Sequence, residues 1–280
     1  MQTAHPKPDR TAKVSSKESF DVIRCHKGDR RASEQELIGE EPLLIRVDGR
    51  PYSAVMRTPG EETFLAAGFC LAEGIVDDVD DFASVGYCED MDPNVVDIRL
   101  QPSRLELVSS LLERQGFISQ TSCGICGKMM IEEMFQFLKP FSDNTGIDFD
   151  DAIRSTYQLP RFQRLYKSTR GSHAVTLLDS RLKILSVAED VGRHNALDKA
   201  IGKLLMSKSL KDARIGVLTS RISYEMVQKA ARAELPILLS KSYPTTLAVR
   251  LAKELNLTLA CADTESELII FCGEERINNG

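Results

Sequence analysis

The sequence predicts a layered α/β domain behind a smaller α+β unit. Three observations predict it. From about Gly171 to the end, short apolar strand patterns alternate with amphipathic helical ones, the signature of helices covering a mixed sheet. Residues 21–115 hold two strand pairs, each followed by one helix, which makes a compact α+β unit. Between the two lies Thr121-Ser122-Cys123-Gly124-Ile125-Cys126-Gly127-Lys128, a glycine-flanked C-x-x-C. The expected organisation is a flexible tail over 1–20, the small unit over 21–115, a mobile C-x-x-C loop over 116–128 and the α/β domain over 129–280.

Taken in order, the segment up to about Glu40 is charged and shows no clear period. Leu43–Val47 and Tyr52–Arg57 read as strands around the turn signal Asp48-Gly49. Thr58 is placed to cap the next helix, with Pro59 at its first position. That helix carries Phe64, Leu65, Gly68 and Leu71 on one side and stops at Gly74. Ala83–Tyr87 and Val95–Leu100 form the second strand pair. A helix from about Ser103 to Gln115 turns Leu105, Val108, Leu111 and Leu112 inward. After the cysteines, Met130, Ile131, Met134, Phe135, Phe137 and Leu138 mark a helix that Pro140 ends. Ser142–Gly146 is a turn-forming polar stretch.

In the second half, Ala174–Leu178 and Leu182–Ala188 read as a hairpin around Asp179-Ser180. Helices are expected over about 195–206, 223–234 and 245–255. Strands are expected at Ile215–Leu218, Ile237–Leu239, Leu257–Cys261 and Leu268–Phe271.

Composition bounds the function. The chain has 280 residues, 42% of them hydrophobic, so it can bury a core. No apolar run approaches the roughly 20 residues of a membrane span. The formal net charge of -5 disfavours broad non-specific nucleic-acid binding. The polar N-terminus lacks the apolar stretch of a secretory signal. Seven cysteines without framework spacing then read as reduced thiols in the cytoplasm. Cys25, Cys70, Cys88, Cys261 and Cys272 are ordinary thiols in this reading. Cys70, Cys261 and Cys272 sit in apolar stretches and read as core.

Cys123 and Cys126 carry the chemistry. They sit on a glycine-hinged loop entering a helix N-terminus, where the helix dipole and free N–H groups favour a negative sulfur. Cys123, with a hydroxyl residue before it and Gly124 after it, is the better nucleophile. A structural zinc site needs four ligands, and no second C-x-x-C or H-x-x-x-H supplies the others. Half of a zinc site shared across a dimer stays open. A thioredoxin-like pair would open a helix just after an early strand, whereas this pair follows a helix in mid-chain. A persulfide carrier fits best, because it needs an accessible thiolate that reaches two partners. No phosphate-binding G-x-x-x-x-G-K-[ST] loop, no G-x-S-x-G elbow and no zinc-deaminase H-x-E or P-C-x-x-C pair occurs.

Three polar corners follow strands of the α/β domain: Glu189–Asn195, Thr219–Ser223 and Ser240–Thr245. Each leads into a helix, so backbone N–H groups and hydroxyls can converge on an anion. Arg193 and Arg221 can add charge-assisted bonds to a phosphate. The alternative reading is three helix caps with solvated arginines. His194 reads either as a general base or as a structural residue at a helix start.

Four stretches together resemble the formate dehydrogenase accessory sulfurtransferases, the FdhD family. They are FLAAGFCLAEGI (64–75), TSCGICGK (121–128), EDVGRHNALDKAIG (189–202) and TSRISYEMVQKAARAELPILLSKSYPTTLAVRLA (219–252). The resemblance covers about residue 40 to the end. It implies a cytidine-deaminase-like C-terminal domain without the zinc chemistry. It implies a sulfurtransferase that accepts sulfur from a cysteine desulfurase and passes it to the molybdenum or tungsten bis-pterin guanine dinucleotide cofactor of formate dehydrogenase. By position, Cys123 is the persulfide cysteine. The guanine-contacting turn is Ala262, Asp263, Thr264, Glu265, Ser266 and Glu267. Family members carry an aromatic residue, an arginine and a glycine there; this chain carries carboxylates. A homodimer is also implied.

Three functions follow as expectations. The first is a cytoplasmic sulfurtransferase working through Cys123, with Cys126 releasing product or closing a disulfide. The second is a non-catalytic chaperone that binds the Mo-bis(molybdopterin guanine dinucleotide) and docks on formate dehydrogenase. The third is a C-x-x-C redox protein. The corners and the 262–267 turn are expected to surround one pocket for a guanine nucleotide.

Overall fold

The structure, a computed structural model, describes residues 15–87, 92–114, 138–143 and 145–278. The chain enters as a hairpin of β1 (Lys17–His26) and β2 (Asp29–Ile38). Lys27 and Gly28 both take positive φ in its two-residue turn, which matches the twist of paired strands. Lys17–Phe20, expected in the tail, are therefore the start of a strand. The hairpin is exposed along most of its length, so no burial period marks it in the sequence.

β3 (Glu41–Val47) and β4 (Arg50–Arg57) follow, with Asp48 and Gly49 at positive φ between them. Helix α1 (Glu62–Ala72) begins later than expected, and its N-cap position is Glu61. Thr58 is not the cap because its polar groups are used elsewhere. Its N–H donates to Asp190 Oδ2 at 3.1 Å, its hydroxyl oxygen accepts from Val191 N–H at 3.0 Å, and its carbonyl accepts from Lys199 Nζ at 2.8 Å. β5 (Phe82–Tyr87), β6 (Val95–Leu100) and α2 (Pro102–Arg114) complete the first half. Its sheet has the order β4-β3-β6-β5, with β3 and β6 parallel.

The second half opens with β7 (Ile147–Asp148), α3 (Phe149–Gln158), a 3-10 turn over Leu159–Phe162 and α4 (Arg164–Thr169). Then come β8 (His173–Leu178), β9 (Ile184–Asp190), α5 (Arg193–Met206), β10 (Ile215–Leu218), α6 (Tyr224–Arg232) and β11 (Ile237–Ser240). α7 (Thr246–Glu254), β12 (Thr258–Thr264), β13 (Glu267–Cys272) and β14 (Ile277–Asn278) end the described chain. Thr245 caps α7, its side chain accepting from Ala248 N–H.

Six strands make a mixed sheet in the order β13-β12-β11-β10-β8-β9. β10, β11 and β12 are parallel; β8 runs against β10, and β9 against β8. The carboxyl ends of β9, β10, β11 and β12 therefore lie along one edge. Strand residues alternate between two cores. Val175, Leu177, Leu218, Leu238 and Leu259 pack with α5, α6 and α7. Ala174, Leu178, Val217, Leu239 and Ala260 pack with Ile147, Ala152 and Leu159. Burial on both faces is why these strands read as continuous apolar runs.

The first core does not stop at the sheet. It runs from Leu43, Ile45, Val96 and Ile98 through α1 to α5. Helices α1 and α5 cross almost backbone to backbone. A Cβ on Gly68 would collide with the Asp198 carbonyl, and one on Gly202 with the Phe64 carbonyl. Cys70, Cys261 and Cys272 are buried and Cys25 is exposed.

Candidate functional site

The three polar corners and the 262–267 turn all lie on the edge formed by the carboxyl ends of β9 to β12. Hydrogen bonds join each to the next. His194 Nε2 lies 3.3 Å from Ser223 Oγ, linking the first corner to the second. Ser240 Oγ donates to the Ser220 carbonyl at 2.7 Å, and Thr245 N–H to the Ile222 carbonyl at 2.9 Å, linking the second to the third. The Tyr243 hydroxyl donates to Asp263 Oδ1 at 2.9 Å, linking the third to the turn. The arrangement is a row rather than a ring. Four strand steps separate β9 from β12, roughly 19 Å at the usual spacing.

Each predicted residue that the structure describes has a distinct place on this row. Arg193 opens α5; it is half-buried, and its Nε is buried without a hydrogen-bond partner. Arg221 is exposed in the second corner. Ala262 is buried in β12, whereas Asp263, Thr264, Glu265, Ser266 and Glu267 are exposed at the far end of the row. Cys123 and Cys126 lie outside the described residues. A cleft of about 270 Å³ between Arg154, Phe162, Arg181 and Ile184 opens at the opposite end of the strands and takes none of the corner residues. Among the described residues, no group of three His, Cys, Asp or Glu side chains is placed to hold a metal.

The stretch EDVGRHNALDK acquires a physical meaning here. Asp190 is fully buried at the end of β9 and faces Lys199 Nζ at 2.7 Å. Its other oxygen accepts from Gly192 N–H at 2.8 Å and from Asn195 Nδ2 at 3.0 Å. Asn195 Nδ2 also donates to the Met56 carbonyl at 2.7 Å. The first corner is thus clamped to the β4–α1 junction. One turn further along α5, buried Asp198 holds Lys229 through both oxygens at 2.8 Å. Burial pushes the Asp198 carboxyl up to about 6, with Lys229 opposing the rise. These groups were not found by sequence reasoning; an aspartate and a lysine, Asp198 and Lys199, among the apolar residues of α5, with Asp190 at the end of the strand before it, were the available signal.

Two histidines stand at the first end of the row. His173 is half-buried at the start of β8, paired across the sheet with Asp190. Burial and then Arg193 lower its pKa. His194 is pushed down to about 4 by burial first, then by Lys229 and Arg193. Burial raises the Glu225 carboxyl, but the Ser223 hydroxyl donating at 2.7 Å and the nearby His194 and Arg193 bring it below its ordinary value.

The sequence pattern of the FdhD/NarQ family matches residues 38–278. The chain belongs to that family. A relative from Streptomyces avermitilis, a sulfur carrier protein FdhD, is 36% identical over 91% of this chain and 94% of its own length. An FdhD sulfur carrier protein from Xanthomonas campestris is 33% identical over 92% of each chain. One from Mycolicibacterium paratuberculosis is 36% identical over 91% of this chain and 97% of its own. In fold, the chain resembles a crystal structure from Desulfotalea psychrophila, described as a formate dehydrogenase accessory protein. The TM-score is 0.74 at 21% identity, covering 94% of this chain and 99% of that one. The FdhD/NarQ match begins where the β1–β2 hairpin ends. No helix among the described residues is long and apolar enough to cross a membrane.

Proposed function

We propose that this protein is a sulfur carrier serving formate dehydrogenase. What supports this reading is that the FdhD/NarQ match spans residues 38–278, Cys123 and Cys126 among them, and that relatives similar over nine-tenths of the chain are sulfur carrier proteins. The Cys123 thiolate attacks the outer sulfur of a cysteine desulfurase persulfide. The donor S–S bond breaks, the desulfurase cysteine leaves as thiolate, and Cys123 holds the sulfane sulfur. Cys126 then attacks the Cys123 sulfur. A Cys123–Cys126 disulfide forms, and the sulfane sulfur leaves reduced by two electrons as sulfide.

The acceptor is the molybdenum or tungsten bis-pterin guanine dinucleotide, bound as substrate along the polar row. Arg193 and Arg221 take its phosphates, and the Ala262–Glu267 turn takes its guanine edge. The work is done in the cytoplasm, where thiols stay reduced, by a homodimer. The test is mass spectrometry of the purified protein after incubation with a desulfurase and cysteine. A sulfur adduct on Cys123 is the expected result. Full activation of formate dehydrogenase by protein lacking both thiols would leave only a cofactor-binding chaperone.

A further inference from the structure

The end of the row between β8, α5 and α6 has a charge arrangement that a structural role does not require. Arg193, next to His194 in the chain, lies there with its buried Nε unpaired, and its charge acts on His173, His194 and Glu225. The other charges are consumed. Lys229 is held by Asp198 at 2.8 Å, and Lys199 by Asp190 at 2.7 Å. Arg193 and Glu225 cancel in formal charge, so the cluster is neutral while both histidines are neutral. Thr219 Oγ1, accepting from Ala174 N–H at 2.9 Å, staples the second corner to the strand that carries His173. His194 and the Ser223 hydroxyl thus meet at this end of the row, with His173 on the neighbouring strand and Arg193 beside His194 in the chain.

We propose that His173, Arg193 and His194 form a subsite for a doubly charged oxyanion, and that the anion binds there together with protons. The proposal rests on the nucleotide reading of the polar row and adds where the phosphate sits and how its charge is matched. The geometry gives the proton its place. Ser223 Oγ spends its hydrogen on Glu225 Oε2 at 2.7 Å, so it accepts from His194 Nε2 at 3.3 Å. Neutral His194 therefore carries its proton on Nε2, and a second proton adds at Nδ1. Before ligand arrives, burial, Lys229 and Arg193 keep His194 neutral, and Glu225 alone, 3.8 Å away, favours its charge. A dianion adds a second and larger negative neighbour and reverses that balance. His173, opposite Asp190 across the sheet and under the influence of the Arg193 charge, responds in the same direction. The site offers one fixed positive charge and two that appear only when an anion is present.

Sulfate is the probe, because it does not titrate near neutrality. Calorimetry at pH 6, 7 and 8, in two buffers of different ionisation heat, measures proton uptake directly. The expected result is uptake on binding and an affinity that falls as pH rises, by up to about tenfold per pH unit for each proton taken up. His194→Gln should reduce the uptake, and His194→Gln with His173→Gln should remove it. Arg193→Gln should weaken sulfate at every pH. Sulfate binding without proton uptake overturns the proposal, as does unchanged uptake in the double histidine variant. Guanosine diphosphate on the same samples separates the two levels: nucleotide binding without proton linkage sinks this subsite alone, and binding of neither ligand sinks the nucleotide reading with it. The wild-type measurement decides the matter even if a variant folds poorly.

Discussion

Lys199 Nζ lies 2.7 Å from Asp190 Oδ2, and neither residue is more than 1% exposed. The lysine comes from the middle of α5 and the aspartate from the end of β9. Both also bind Thr58, at the junction of β4 and α1. Lys199→Met should therefore cost about 3–5 kcal/mol, since it strands a buried carboxylate. Urea denaturation measures it. Lys199→Met combined with Asp190→Asn should recover part of that loss; an equal or greater loss in the pair would mean the attraction between the charges is not what matters.

Gly68→Ala should destabilise by about 1–3 kcal/mol or more, because the added methyl meets the Asp198 backbone rather than a flexible side chain. Gly86→Ala is the control. No atom lies within 4 Å of a Cβ there, so its cost should stay within about 0.5 kcal/mol. Equal melting temperatures for the two variants would contradict the close helix crossing.

His194 should shape acid stability. Its folded pKa of about 4 lies below the unfolded value of 6.5, so the folded state binds fewer protons between them. Its contribution is complete above pH 6.5 and is lost as pH falls toward 4. Asp198 works the other way, because its folded value of about 6 lies above the unfolded 3.8. Its contribution is present at low pH and is lost as pH rises through 6. His194→Gln should thus flatten the fall in melting temperature between pH 6.5 and 4. Parallel curves for wild type and variant would remove His194 from the account.

The two thiols should separate cleanly. Cys123→Ser should abolish sulfur loading, because a hydroxyl forms no persulfide and is a far weaker nucleophile near neutrality. Cys126→Ser should still load Cys123 with an adduct of about 32 Da and slow its release. A persistent adduct on Cys126 in the Cys123→Ser protein would exchange the two roles.

The acidic turn makes a test of sign. Exposed Glu265 and Glu267 stand where the guanine edge is proposed to bind and can accept from its N–H groups, so Glu265→Gln with Glu267→Gln should weaken guanosine diphosphate binding. Tighter binding would mean that the carboxylates act mainly by repelling the phosphates. Arg221→Gln should weaken binding by about tenfold with little effect on the melting temperature, since Arg221 is exposed.

Sequence alone revealed those parts whose neighbours are near in the chain or whose burial is uniform. Ile215–Leu218 and Ile237–Leu239 were readable because strands buried on both faces are apolar throughout. The corners were readable because polar turn residues cluster. Lys199 was not, because its burial depends on a carbonyl 141 positions away. The β1–β2 hairpin was not, because Phe20 and Ile23 stay 48% and 63% exposed and leave no inward face to count. The Tyr243–Asp263 bond, which makes the row continuous, joins two exposed residues that no local pattern pairs.

The glycine crossing locks the backbone of α1 against that of α5 at Gly68 and Gly202, so the small sheet and the large one share one rigid contact. The polar row is clamped to the same junction through Met56 and Thr58. A client that grips Met56 or Tyr87, each about half exposed on the small sheet, therefore also aims the row from Arg193 to Glu267. Recognition at one end becomes orientation at the other.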